Sequence, residues 1–339
     1  MNLANTSSNA FENSASKRIL VTGGRGFIGS HLVRVLRATG ANVVSVDIAD
    51  GGVSEILSYP GEVTLDIRDR NKMDELFDVH KFCTVFDLAS FTDAGLSKFE
   101  YVRNVTATDV MTSLAAKHRV EKYTFFSTQF VHRRPGEAPS SDIDFQPTEA
   151  YGESKVESEL LVRGRLEVNN WLILRPSYVW GPGLARFRDG LLKRLAQGLF
   201  LVPNDPVLTR YYGYVDTVVG QAISLTFGNG EAGRVYYVSD DAINLHEFCD
   251  TLVLALGHGG YRSVPVSIIR AAGLLGDMLS GLGVRPPISN LQAVELTTRF
   301  PIPLAPTLAA TRISTQLSSA AEAVVSWART DPTFPKKVV

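Results

Sequence analysis

The sequence predicts an α/β chain built on a doubly wound parallel sheet, and three observations carry that prediction. Short apolar runs alternate with helix-period segments from residue 18 to residue 175. The first run, Arg18 to Thr22, leads directly into a glycine-rich turn and then into a helical pattern. Acidic or hydroxyl residues close successive runs, at Asp47, at Asp66–Asp69 and at Ser127-Thr128. Sheets of this kind bind ligands beyond the carboxyl ends of their strands.

The elements follow in order. After Thr22 comes Gly23-Gly24-Arg25-Gly26-Phe27-Ile28-Gly29, and a helix through Leu32, Val33, Leu36 and Ala38 stops at Gly40. Gly24, Gly26 and Gly29 satisfy G-x-G-x-x-G, and Gly23, Gly26 and Gly29 satisfy G-x-x-G-x-x-G. Such glycines let the backbone turn sharply and approach a pyrophosphate at a helix N-terminus. The second strand, Asn42 to Asp47, ends in a carboxylate 18 residues after Gly29, where a dinucleotide fold presents an acid to the ribose 2′-OH. That carboxylate repels a 2′-phosphate, which favours NAD over NADP, although Arg25 lies close in sequence. A third strand is predicted over Val63 to Asp69, followed by a helix through Met73, Leu76 and Phe77. Asp66 either meets an adenine edge or caps that helix. Buried strands are predicted at Cys83–Ala89 and Tyr123–Ser127, with a helix over Asn104–His118 between them. The next helix opens at Tyr151, and a sixth strand, Trp171–Arg175, is closed by Pro176.

After Pro176 the texture changes. Trp180-Gly-Pro-Gly183 reads as a turn, Leu191–Leu199 as a short helix, Val235–Ser239 as a strand and Leu245–Leu256 as a helix. The predicted division is a flexible Asn/Ser/Ala-rich tail over 1–16, a dinucleotide-binding unit over 17–178 and a smaller, interleaved C-terminal substrate unit over 179–339. Parts of 211–240 are expected to rejoin the first unit.

Composition narrows the function classes. At 339 residues the chain suits one large or two interlocked domains, and 45% hydrophobic with 20% charged residues is ordinary for a globular enzyme. A net charge of -1 offers no basic field for nucleic acid and no polybasic membrane patch. Cys83 and Cys249 read as buried thiols without metal-ligand spacing, so no metal is predicted and a reducing cytoplasm fits. The most apolar run, Val264 to Val284, is interrupted by Arg270 and Asp277 and is expected to pack within the substrate unit.

Tyr151 and Lys155, four apart at a helix start, share one helix face. An ammonium beside a phenol favours the phenolate. A phenol of pKa about 10 needs about 4 kcal/mol of such help to act as a base near neutrality.

Thr22-Gly-Gly-x-Gly-Phe-Ile-Gly-Ser30, Asp47, Asp66-Ile-Arg-Asp69, Asn104-Val-x-x-Thr108, Ser127-Thr128, Tyr151-x-x-x-Lys155 and Leu174-Arg-Pro176 occur in order. Over roughly residues 17 to 256 the chain resembles the extended short-chain dehydrogenase/reductase superfamily, in its NAD-dependent epimerase/dehydratase branch. Beyond 256 it resembles, more weakly, substrate domains of nucleotide-sugar enzymes from surface-polysaccharide pathways. The resemblance implies a Rossmann-type fold with Gly23, Gly26, Phe27, Ile28 and Gly29 at the pyrophosphate. It implies Asp47 at the adenosine ribose, Asp66 and Ile67 at the adenine, and further NAD contacts at Leu88, Ala89, Asn104, Tyr151 and Lys155. Thr128 aligns with the active-site Ser/Thr and Tyr151 with the acid/base; Lys155 aligns with the lysine that holds the nicotinamide ribose and lowers the tyrosine pKa. The implied chemistry is hydride transfer at a carbinol, with Tyr151 moving the hydroxyl proton and Thr128 hydrogen-bonding the same oxygen. A homodimer paired through helices 104–118 and 151–166 is also implied.

Several positions depart from the pattern. Sugar 4,6-dehydratases carry an Asp-Glu pair directly after the active-site Thr, and here those residues are Gln129 and Phe130. Tyr178 stands where many sugar epimerases have an asparagine, and Asp87 where a histidine is usual. Arg210, five residues before Val215, has the spacing of the arginine that contacts a substrate diphosphate. Arg186 and Arg188 are further candidates for that contact, or else parts of a solvated loop. The resulting expectation is an NAD-dependent nucleotide-sugar 4-epimerase or 4-keto reductase. A 3β-hydroxysteroid-dehydrogenase-like oxidoreductase of an apolar alcohol and a non-catalytic dinucleotide-binding regulator stay open beside it.

Overall fold

The computed structural model describes residues 17–48, 61–93, 96–281, 283 and 288–335. The tail predicted over 1–16 lies outside them. β1 (Arg18–Thr22) buries every residue after Arg18. A glycine turn leads into α1 (Phe27–Ala38), whose buried Leu32, Val33 and Leu36 form one stripe. The chain continues through β2 (Asn42–Asp47), β3 (Glu62–Thr64), α2 (Arg70–His80) and β4 (Thr84–Asp87). Next come α3 (Lys98–Lys117), β5 (Lys122–Phe126), α4 (Ala150–Arg165) and β6 (Trp171–Pro176).

Several predicted features differ, and the strand expected over Cys83–Ala89 is shortened to Thr84–Asp87. The third strand ends at Thr64, because Asp66 turns its carboxylate onto Arg68 and draws the backbone out of the sheet. Asp69 rather than Asp66 caps α2, accepting from Lys72 N at 3.3 Å. α3 begins at Lys98, six residues before its predicted start, since Ser97 and Glu100 close a reciprocal capping box. Cys249 is buried, but Cys83 at the edge of β4 is half-exposed, which corrects its expected burial.

The second half adds β7 (Tyr178–Trp180), helical turns within 185–196, β8 (Phe200–Pro203), β9 (Thr209–Tyr214), α5 (Val215–Ser224) and β10 (Arg234–Val238). The helix predicted over Leu191–Leu199 therefore stops at Ala196. β11 (Ala242–Asn244), α6 (Leu245–Leu256), β12 (Tyr261–Val264), α7 (Val266–Gly281), α8 (Asn290–Thr297), α9 (Ala305–Thr311) and α10 (Leu317–Ala328) complete the described chain. α7 lies against α8 through Gly273 and Ala293, yet Leu274, Leu275 and Met278 stay exposed, so this helix packs on one side only. Among the described residues no helix is long and apolar enough to cross a membrane.

Seven strands form one parallel sheet in the order β10-β6-β5-β4-β1-β2-β3. On one face Leu20, Val46, Tyr123 and Phe125 pack against Phe77 of α2, Met111 of α3 and Val162 of α4. On the other, Val21, Phe126 and Leu174 pack against Leu36 of α1 and Val219 of α5. A separate core of Trp180, Phe248, Leu252 and Val324 holds the C-terminal region. α4 is fixed to the sheet by a fully buried ion pair. Arg175 on β6 donates to both carboxylate oxygens of Glu159, at 2.8 and 2.7 Å, and to Tyr237 on β10 at 3.0 Å.

Candidate active site

The sheet reverses its winding between β1 and β4, neighbours separated in sequence by two strands and two helices. A crevice opens beyond the carboxyl ends of such a pair. Gly23 N donates to Val46 O at 2.8 Å, which ties the glycine turn to the end of β2. A Cβ on Gly29 would lie 2.0 Å from the Gly23 carbonyl oxygen, so only glycine lets α1 approach this closely. Gly26 caps α1 without a side-chain hydrogen bond, leaving Phe27 and Ile28 in a first turn that suits an anion. Asp47 accepts from Arg25 N at 3.0 Å and from Ile48 N at 2.8 Å, which places its carboxylate beside the turn. Asp66 is bridged to Arg68 at 2.6 Å, and the guanidinium holds its carboxyl below the ordinary value. Ile67 is buried in the core behind it.

Leu88 and Ala89 donate their N–H groups to Thr22 Oγ1, each at 3.1 Å. Asn104 is buried, and its amide bonds the backbone of Phe91 on both sides, at 2.8 and 3.1 Å. It braces the loop after β4 from behind.

Thr128 follows β5 and is buried; its hydroxyl accepts from Phe130 N at 3.3 Å. A Cβ on Gly152 would lie 2.5 Å from Phe130 O, so a glycine there lets the start of α4 close on this turn. Tyr151 thereby packs its ring against Phe130 at 6.3 Å and Tyr101 at 5.6 Å. Burial pushes its phenol up to about 12, with the Arg186 charge and the Ser90 hydroxyl acting in the opposite direction. Lys155 is turned toward β5: its ammonium donates to Phe126 O at 2.9 Å and sits 4.8 Å over the Phe125 ring, so the lowering of the Tyr151 pKa expected of it is replaced by the Arg186 charge and the Ser90 hydroxyl. Burial brings it down to about 8, while Asp87 and then Glu159 pull upward.

On the substrate side, Tyr178 lies 5.8 Å from Phe130 and accepts from Arg133 at 2.9 Å. Arg133 is buried beneath the Phe300 ring and pairs with Glu295 of α8. Arg210, also buried, donates to the backbone carbonyl of that same Glu295. One residue of α8 therefore holds both arginines. Glu149, just before Tyr151, has its carboxyl raised by burial and by the Glu295 charge. Arg186 is exposed near Tyr151, whereas Arg188 pairs with Asp331 at 2.7 Å and is anchored to the C-terminal region.

The sequence profile of the NAD dependent epimerase/dehydratase family matches residues 19–245. The chain belongs to that family. A relative in the family's range, UDP-glucose 4-epimerase of Halalkalibacterium halodurans, is 35% identical over 150 residues, which are 42% of this chain and 44% of that protein. The chain thus matches less than half the length of this relative. dTDP-D-glucose 4,6-dehydratase of Bos taurus is 34% identical over 252 residues, 66% of this chain and 68% of that protein. Among solved structures, epimerase Mth375 from Methanothermobacter thermautotrophicus has a TM-score of 0.76 at 18% identity, covering 96% of each chain. UDP-glucose 4-epimerase of Thermotoga maritima has a TM-score of 0.67 at 22% identity, covering 92% of this chain and 99% of that one. At these identities the structural likeness shows the fold.

Membership of the NAD dependent epimerase/dehydratase family makes NAD the cofactor to test against the residues present. The residues present fit the dinucleotide on two counts. The turn below Gly29 leaves no room for a side chain, and Ser127 Oγ, at the end of β5, is buried without a hydrogen-bond partner among the described residues. Four site residues were not singled out from sequence: Ser90, Arg133, Glu149 and Glu295. Ser90 has a signal, since it directly follows the strand predicted over Cys83–Ala89. Glu295 has none, since it meets Arg133 across 162 positions.

Proposed function

We propose that the chain is a nucleotide-sugar 4-epimerase or 4-keto reductase in which Tyr151 is the acid and base. Phe130 carries this reading. Its ring packs on Tyr151 at the position where sugar 4,6-dehydratases have the second acid of their pair, and Gln129 replaces the first. Without those carboxylates the site favours oxidation and reduction at the carbinol over elimination of water. When bound, NAD supplies the acceptor and donor of hydride; Gly23, Gly26, Phe27, Ile28 and Gly29 would hold its pyrophosphate, and Asp47 its ribose.

Tyr151 takes or returns the carbinol proton, and Thr128 hydrogen-bonds the same oxygen as charge develops on it. A phenol near 12 is about 7 kcal/mol from serving as a base at neutrality. The Arg186 charge is already counted in that value, and the nicotinamide of bound NAD would supply further positive charge. Arg210 recognises the diphosphate of the substrate once it exchanges the Glu295 carbonyl for phosphate oxygens. Tyr178 and Arg186 line the sugar end. Residues 17–178, with β10, serve the cofactor, and 179–339 mainly the substrate. The reduced thiols Cys83 and Cys249 suit a cytoplasmic enzyme. Exposed Phe99 and Val102 on α3 and Leu160 on α4 support a homodimer paired through these helices.

A second reading, a dehydrogenase of an apolar alcohol, draws support from the aromatic wall of Phe130, Tyr178, Tyr212 and Phe248. Incubation with UDP-, dTDP-, GDP- and CDP-sugars, with and without NAD(H), followed by proton NMR, tests the proposal. A new C4 epimer or a reduced 4-keto sugar is expected. No change in any nucleotide sugar, with turnover of a sterol alcohol, would replace it with the second reading.

A further inference from the structure

Asp87 is a carboxylate in the most buried row of the sheet, where the rest of the row is almost wholly apolar. Strand register places Val46, Thr22, Asp87, Phe125 and Ile173 side by side on β2, β1, β4, β5 and β6. Paired residues point to one face, and here that face is the one covered by α4. Asp87 is 2% exposed. Thr22 donates to one of its oxygens at 2.6 Å and Tyr123 to the other at 2.5 Å. A buried carboxylate is costly unless it is hydrogen-bonded and balanced by an opposite charge. Burial raises the Asp87 carboxyl above its ordinary value, and the bonds from Thr22 and Tyr123, then the charge of Lys155, act the other way. Lys155 does not touch the carboxylate; its ammonium lies over the ring of Phe125, the residue beside Asp87 in the sheet. Thr22 also receives the N–H groups of Leu88 and Ala89, so the same hydroxyl joins Asp87 to the loop at the crevice.

We propose that Asp87 is a positioning residue of the hydride-transfer site: its carboxylate is the counter-charge that keeps Lys155 an ammonium within the core, and through Thr22 it fixes the Leu88–Ala89 loop. The proposal rests on the enzymatic reading for its catalytic consequence, but the charge relation stands apart from any substrate. Two carboxylates act on Lys155, Asp87 from β4 and Glu159 from its own helix. β5 offers it the Phe125 ring and the Phe126 carbonyl, and Tyr123 and Thr22 face Asp87. Burial already brings Lys155 down to about 8. Removing the Asp87 charge lowers it further, so the ammonium is lost at a lower pH.

The test follows Lys155 by NMR in the full chain labelled at the lysine side chains, assigned with Lys155→Arg. In Asp87→Asn the midpoint is expected to fall by at least about one pH unit, a tenfold loss of proton affinity. Thr22→Val, which keeps the shape and removes one hydrogen bond to the carboxylate, is expected to shift it the same way by less. It covers the case in which Asp87→Asn does not fold. The high-pH limb of kcat with the nucleotide sugar found to be turned over should move down in parallel. Unchanged lysine midpoints in both variants would overturn the proposal. A shifted midpoint in a chain that turns over no nucleotide sugar would leave the charge relation standing and remove the enzymatic reading instead.

Discussion

Gly29→Ala probes the cradle at its tightest point. The added Cβ would sit 2.0 Å from Gly23 O, 2.9 Å from Gly23 C and 3.0 Å from Gly24 Cα, all backbone atoms that cannot swing aside. Contacts under 3.0 Å essentially do not occur for a Cβ, so the turn and α1 must part by at least 1.0 Å along the direction of the oxygen. Overpacking of this size costs about 1–3 kcal/mol. If the displacement falls on the turn that receives the pyrophosphate, the Kd for NAD rises about 5- to 150-fold. Gly164→Ala is the control. Nothing lies within 4 Å of its Cβ, and an alanine inside α4 should add up to about 1 kcal/mol of stability without touching NAD affinity. Calorimetric titration with NAD, beside thermal unfolding of each variant, reads both effects. A Gly29→Ala chain that binds NAD like the wild type would refute the assignment of this turn.

Tyr151→Phe should lower kcat by about 10²-fold or more while leaving NAD affinity nearly unchanged, measured by turnover and titration on the same preparation. Arg210→Ala should raise KM for a nucleotide sugar by about tenfold or more, with little effect on NAD; equal KM values would remove Arg210 from the substrate site. Glu159→Gln leaves the Arg175 guanidinium buried with its charge unbalanced, so about 3–5 kcal/mol of stability should be lost, read by denaturant unfolding.

What the sequence revealed and what it hid divide along physical lines. Arg18–Thr22, Asn42–Asp47 and Leu245–Leu256 occupy the predicted bounds, because each is an apolar run or stripe punctuated by glycine, acid or cap. The predicted third strand overruns Thr64 because Val63, Leu65 and Ile67 keep alternating after strand pairing ends, so side-chain burial outlasts the strand there. The early start of α3 was written in Ser97-x-x-Glu100, a capping box that the apolar periodicity overshadowed. The glycine turn and Asp47 come together near the crevice as local motifs can. Asp87 and Glu295 acquire meaning only from register and long-range packing, which no local pattern encodes.

Hydride transfer at a sugar carbinol is the central claim, and isotope tracing addresses it most directly. The chain would be incubated with NAD and a nucleotide sugar deuterated at C4, in ordinary water, and the label followed by NMR. The account predicts that deuterium stays on C4 of the inverted sugar or is transferred to the cofactor, and that Tyr151→Phe suppresses both. Loss of the label to water, or its migration to C6, would contradict it.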